Sequence, residues 1–329
     1  MNGYSPFSYQ IFPPEYFEKK AVKKTALFTG LLIILYLAVS FYLGTIIQAV
    51  ISLMNLDLTT VARAETADQI VFMITYLLTM IIPFVIFALF TKIPLKVAFP
   101  MRPPRPSLAI PAVSLTLGTS VIGIFSASVL MVFFSLMGLS YEVTPIAVPT
   151  TTVAKILYLI SLSFLPAILE ELAFRGILMQ SLRRHGDTFA LIVSAFVFSL
   201  FHGNFMQLPN TFLLGILIGF FVLRTDSIVT GMLMHFFNNF IVTAVDMFLI
   251  SESSEAESAL IKLTLLGIYV LIGVIALIYL IVKKKEIFKL FPSYTYLSTG
   301  KKLAAFFSQP VMIVAIVLMG FLCISFFVI

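Results

Sequence analysis

VAKILYLISLSFLPAILEELAFRGIL, residues 153–178, is the stretch on which the reading turns. It exceeds the roughly 20 apolar residues a helix needs to cross a bilayer, yet it carries Glu170, Glu171 and Arg175. An ionised side chain at the centre of a membrane helix costs roughly 2.5–3.5 kcal/mol on insertion scales. Each of the three therefore demands a reason to be there. Glu171 and Arg175 are four apart, share a helix face and can neutralise each other. Glu170 is rotated about 100° from Glu171 and is free to point elsewhere. Pro166, four residues before Glu170, frees a backbone carbonyl and predicts a kink just below the acids.

Outward from this stretch the whole chain reads the same way. Of 329 residues, 60% are hydrophobic and 11% charged, against roughly 25% charged in a soluble protein. Nine apolar runs are predicted, at about 25–54, 69–90, 108–137, 153–178, 188–203, 210–223, 228–250, 259–282 and 306–329, the fifth and sixth being short. A spanning helix satisfies its own backbone in lipid, so the expected fold is an all-α polytopic membrane protein. Residues 1–24 are polar and aromatic, and the run after them is longer than the roughly 7–15 residues of a signal-peptide core. It reads as a first anchor. The single cysteine, Cys323, allows neither an intrachain disulfide nor a cysteine-based metal site. Without tryptophan, any interfacial aromatic belt must come from Tyr and Phe.

The net charge of +6 needs no nucleic acid to explain it. Lys and Arg mark cytoplasmic loops. The segments 19–24, 92–105, 183–184, 224 and 283–302 hold seventeen of the 21 basic residues, and with nine spans all fall on one side. The opposite loops hold Arg63 and acids including Asp57, Glu65, Glu142 and Glu252. The N-terminus is then cytoplasmic and the C-terminus outside. Pro100, Pro103, Pro104, Pro106 and Pro111 predict a stiff loop between spans two and three. Gly215 and Gly219 form a small-xxx-small pair suited to close helix packing.

Two of the three histidines fall in apolar runs: His202 ends the fifth, and His235 lies in the seventh with Asn238 and Asn239. His185 follows two arginines and reads as a loop residue. His235 and Asn239 are four apart, on one face. At about 1.5 Å per residue, Glu170, His202, His235 and Asn239 lie roughly 12–22 Å from their predicted cytoplasmic ends and can share one layer. Singly, each has a structural reading: Glu171–Arg175 as a buried ion pair, Asn238 as a helix-packing hydrogen bonder, a lone histidine as a packing residue. Together on three spans they point to a site.

The strings Glu170-Glu171-Leu172-Ala173-Phe174-Arg175 (EExxxR), Phe198-Ser199-Leu200-Phe201-His202 (FxxxH) and His235-Phe236-Phe237-Asn238-Asn239 (HxxxN) resemble, in this order, the CPBP family of CAAX-processing and bacteriocin-processing proteins, also called Abi. The resemblance covers about 150–250. It implies an intramembrane peptidase on an all-helical core, with the catalytic core at 150–250; the tail at 1–24, spans one to three at 25–149 and spans eight and nine at 251–329 lie outside it. It makes Glu170 the base that activates water and His202 a ligand of that water. His235 and Asn239 would hold the oxyanion, with Glu171 and Arg175 supporting. Elementary chemistry agrees, since peptide hydrolysis needs a base, an attacking water and oxyanion donors. There is no HExxH motif, no GxSG-type serine site and no GxGD aspartate pair.

No cofactor is the favoured expectation. Glu170, His202 and His235 could bind zinc, but ligand histidines are usually fixed by an outer acceptor. The nearby acids are Glu171, expected to be held by Arg175, and the distant Asp246. The expected substrate is a membrane-embedded or lipid-anchored peptide or protein, and the expected location is the bilayer, at the cell membrane if the source is bacterial. The rivals are a non-catalytic immunity or interaction protein on the same fold and a transporter, since buried Glu, Arg and His also line relays. A transporter should show matching halves, and none is visible.

Overall fold

The computed structural model describes residues 13–54, 59–141, 147–251, 253–289 and 295–328. Asp57, Glu142, Glu252 and the first twelve residues of the tail lie outside them. Ten helices account for the nine apolar runs: α1 Pro14–Leu53, α2 Val61–Thr91, α3 Pro106–Leu136, α4 Thr152–His185, α5 Asp187–Leu200, α6 Leu208–Thr225, α7 Ile228–Ile250, α8 Glu255–Lys283, α9 Thr299–Phe307 and α10 Pro310–Ile324. Two short strands, β1 Ser140–Tyr141 and β2 Phe327–Val328, pair antiparallel.

The expected count of nine spans is not what the helix lengths give. Among the described residues, seven helices are long and apolar enough to cross a membrane, or eight if α9 and α10, bent by 73°, form one span. The helix that falls short is α5. Its 14 residues reach only about 21 Å, against a hydrocarbon layer of about 30 Å. It lies at the centre of the molecule, with most of its side chains buried, so it meets protein rather than lipid along its length. The outer helices α1, α2, α3, α8 and α10 instead turn large apolar side chains outward, among them Phe41, Leu89, Phe125 and Phe321, as lipid-facing helices do.

Close packing at the centre depends on glycine. A Cβ on Gly215 would stand 3.0 Å from the Ala195 backbone, and one on Gly219 2.7 Å from Leu191, so the expected small-residue pair is the seam between α6 and α5. The proline-rich stretch is only partly a loop. Pro106 opens α3 and Pro111 lies inside it, while Ile228 donates to the Pro100 carbonyl at 2.9 Å.

The basic segments meet at one end of the bundle. Arg102 pairs with Asp226 at 3.0 Å, Arg184 donates to Thr25 at 2.9 Å, and Arg224 donates to the Glu286 carbonyl at 2.8 Å. His185, expected to be an ordinary loop residue, is buried there. Its ring bonds Thr25 at 2.9 Å and its carbonyl accepts from buried Lys302 at 2.6 Å. At the other end Tyr141 donates to Asn204 at 3.0 Å, and β2 closes on β1.

Candidate active site

The site is built on an irregular helix. Within α4 the α-helical turns Leu165–Glu170 are flanked by two π-helical stretches, Ile160–Phe164 and Glu171–Leu178. π-turns inside α-helices are concentrated at functional sites. The first lies just before Pro166, where the sequence predicts a local irregularity. Leu165 N–H bonds five residues back, to the Ile160 carbonyl, and the widened turn relieves the clash between a proline ring and the carbonyl four residues before it. The second begins where Glu170 and Glu171 part company.

Glu171 turns into a solvent-free layer. Its Oε1 accepts from Arg175 Nη1 at 2.8 Å, with the two side chains 0% and 1% exposed. The same oxygen accepts from His235 Nδ1 at 2.9 Å. Arg175 lies over the Phe198 ring, 4.3 Å from its centroid, and reaches the Gly215 carbonyl at 3.4 Å. Phe198 also meets the rings of His202 and His235 edge-on, so the first residue of the FxxxH string is the apolar hub of this layer. Gly231, one turn before His235, makes room for it: a Cβ there would lie 2.8 Å from Glu171 Oε2.

Glu170 turns the other way, into a cavity of about 500 Å³ that it lines with His202, His235, Asn238 and Asn239. All four expected reacting residues are thus brought together, while Glu171 and Arg175 stand behind them. Glu170 Oε1 accepts a hydrogen bond from the Tyr76 hydroxyl. Its Oε2 is buried with no hydrogen-bond partner among the described residues, 3.7 Å from His235 Nε2. His202 Nδ1 bonds the Phe198 carbonyl at 3.0 Å. A carbonyl only accepts, so the hydrogen sits on Nδ1, and neutral His202 keeps its Nε2 lone pair. Asn239 Oδ1 accepts from Asn238 at 3.2 Å, which leaves the Asn239 amide N–H groups as donors. Asn238 Oδ1 in turn accepts from Ser120 at 2.7 Å. Asn238 is therefore more than the packing residue expected: it bonds α3 and also holds Asn239.

Three residues absent from the sequence reading hold this constellation from outside: Tyr76 on α2, Ser120 on α3, and Tyr36 on α1, which donates to the Phe201 carbonyl at 3.0 Å, beside His202. One premise is overturned. Glu171 was expected to be taken up by Arg175 and so unavailable to His235, but it serves both. Both cavity histidines therefore have the outer acceptor that metal-ligating histidines use. The donor set of Glu170, His202 and His235 suits zinc in kind. As placed, however, no three His, Cys, Asp or Glu side chains among the described residues are grouped closely enough to hold a metal ion.

Residues 152–241 match the family model Rce1-like, described as type II CAAX prenyl endopeptidase Rce1-like, in agreement with a membrane protease of the CPBP family. All six motif residues fall within the match, whereas Tyr36, Tyr76 and Ser120 fall before it. The comparison with curated proteins found no match, and neither did that with solved structures. The match and the apolar helices support a multi-pass integral membrane protein of the CAAX-type intramembrane protease class.

Proposed function

We propose that this protein is an intramembrane endopeptidase that cleaves a membrane-associated or lipid-modified peptide with water activated by Glu170. One observation carries the reading: a half-buried carboxylate has one oxygen fixed by Tyr76 and the other buried and unpartnered among the described residues, in a cavity shared with two histidines and Asn239. Glu170 Oε2 accepts a proton from water, whose second hydrogen is directed to His202 Nε2. The water oxygen bonds the scissile carbonyl carbon. The oxyanion receives hydrogen bonds from the Asn239 amide and from the His235 ring, which lies between the carboxylates of Glu171 and Glu170. As the C–N bond breaks, Glu170 passes its proton to the leaving nitrogen, giving one new carboxylate and one new amine.

The test is cleavage of lipidated and transmembrane reporter peptides by the purified protein, with products identified by mass. Glu170→Gln keeps the shape and removes the base, and turnover should fall by about 10²–10⁴-fold. Full turnover by that variant overturns the proposal, and a wild type that cleaves none of the peptides favours the non-catalytic rival. A second reading, a divalent metal on Glu170, His202 and His235, is favoured by the Nδ1-anchored rings alone. Stoichiometric zinc in active protein, with activity lost on chelation and restored by zinc, would replace the metal-free mechanism and keep the same residues.

A further inference from the structure

We infer that the basic end of the bundle contains a built binding site for a phosphate group, and that its occupant is the headgroup of an anionic phospholipid. Two adjoining cavities of about 660 and 460 Å³ open there, sharing Arg105, Leu108 and Arg224. Each is of the size that holds ligands, about 300–1,000 Å³. The first adds Arg102 and Arg183 to its lining, the second Lys283, Lys284 and Lys285. Seven cations thus face two carboxylates, Asp226 and Glu286. Both carboxylates are already engaged, Asp226 with Arg102 at 3.0 Å and Glu286 with Lys289 at 2.8 Å, and Arg183 is itself held by Asp187 at 2.8 Å, which leaves Arg105 and the three lysines as the cations without a carboxylate among those named. Guanidinium groups match phosphate oxygens two at a time.

A second, independent feature adds to the charge. The helix α3 begins at this spot, with Arg105 at its cap position and no side-chain cap; Pro106 has no N–H and the Leu108 and Ala109 N–H groups donate to the Arg105 carbonyl at 2.9 and 2.8 Å, so Ser107 N–H is the first-turn donor that remains. The start of a helix carries the positive end of its dipole and free amide donors, a ready anion site. The long α3 therefore points the positive end of its dipole, with the Ser107 N–H, where the arginines gather.

Two facts select a lipid over free phosphate. The cavities sit where three spans end: α3 starts at Pro106, α6 ends at Thr225 and α8 at Lys283. Their linings also include apolar residues from or beside those ends, Leu108 and Leu223 in one, Val282 and Ile287 in the other. A cationic rim over an apolar floor at the end of a span matches a phosphate ester with its acyl chains attached. Anionic lipids attract such clusters. Lys19, Lys20, Lys23 and Lys24 on α1 provide the contrast, since they line neither cavity.

The inference does not depend on the peptidase reading. Its test is the full protein in detergent, titrated with phosphatidylglycerol or phosphatidylcholine and read by native mass spectrometry for retained lipid. The protein should retain phosphatidylglycerol and release phosphatidylcholine. Arg105→Gln and Lys284→Gln should each weaken retention about five-fold, the equivalent of about 1 kcal/mol per cation. Lys19→Gln with Lys20→Gln should leave it unchanged. Equal losses in both sets would reduce the effect to general surface charge and overturn the site. Glycerol phosphate or inorganic phosphate that displaces the lipid at equal concentration would overturn the lipid assignment. Normal retention by a folded protein carrying both Arg105→Gln and Lys284→Gln would overturn the inference outright.

Discussion

The segment 152–241 and the helices before it contribute to one cavity in different ways. The matched segment supplies groups that can exchange protons or hold charge: Glu170, His202, His235 and Asn239. The flanking helices α1, α2 and α3 supply hydroxyls, from Tyr36, Tyr76 and Ser120, and each donates to an acceptor in the segment. The difference teaches that the reacting set can be encoded in one compact stretch while its orientation is set by the rest of the chain. A family resemblance confined to that stretch captures the first and omits the second. The predictions below run from the segment's own interior outward, and the expected effects shrink along that path.

The largest effect belongs to the solvent-free layer. Breaking a buried ion pair leaves an unpaired charge and typically costs roughly 3–5 kcal/mol. Glu171→Gln and Arg175→Gln should each lower folded yield and thermal stability in detergent. The double variant should recover part of the loss but stay below wild type, because His235 Nδ1 then lacks its carboxylate. Both singles folding normally while fully inactive would assign the pair to chemistry and erase the division between layers.

Next comes the cavity face. Asn239→Ala removes one oxyanion donor among several, and kcat should fall by about 10²–10³-fold with thermal stability nearly unchanged. Loss of folded protein instead would place Asn239 with the packing residues, and the distinction between Glu171 behind and Asn239 in front would fail.

What the sequence made legible follows the same line. Charges and amides in apolar runs stand out because each is costly there, and four-residue spacing assigns them to faces. That sufficed for Glu170, His202, His235 and Asn239, and for the Glu171–Arg175 pair. Hydroxyls carry no such signal. Ser120 also bonds the carbonyl four residues back, at Thr116, as any serine in a membrane helix can, so nothing local reveals its bond to Asn238. Tyr76 is one tyrosine among 12. The count of nine is not confirmed at α5 for a related reason: an apolar run wrapped by protein looks like one wrapped by lipid. Pro166 marked the irregularity in α4, but a kink and a widened turn have the same proline signature.

Tyr76→Phe tests whether the flanking helices merely pack. The hydroxyl is a donor to a carboxylate, and hydrogen bonds to charged groups contribute about 1.5–3 kcal/mol. If that bond orients Glu170 for water, kcat should drop about ten-fold or more while KM holds, and thermal stability should fall by no more than the loss of one such bond. An unchanged kcat would mean Glu170 is positioned by α4 alone, and the matched segment would be self-sufficient.

Ser120→Ala should produce the smallest effect, because it acts through two further bonds. The serine fixes Asn238 Oδ1, which leaves the Asn238 amide to donate to Asn239. A neutral hydrogen bond contributes about 0.5–1.5 kcal/mol, so kcat should fall by a few-fold. The sharper measurement is the pair with Asn239→Ala. If Ser120 works by aiming the Asn239 amide, its removal should cost nothing once that amide is gone, giving a coupling as large as the single effect. If the two losses add, Ser120 only braces α3 against α7. The contribution of the flanking helices would then rest on Tyr76, with Tyr36 holding the turn before His202.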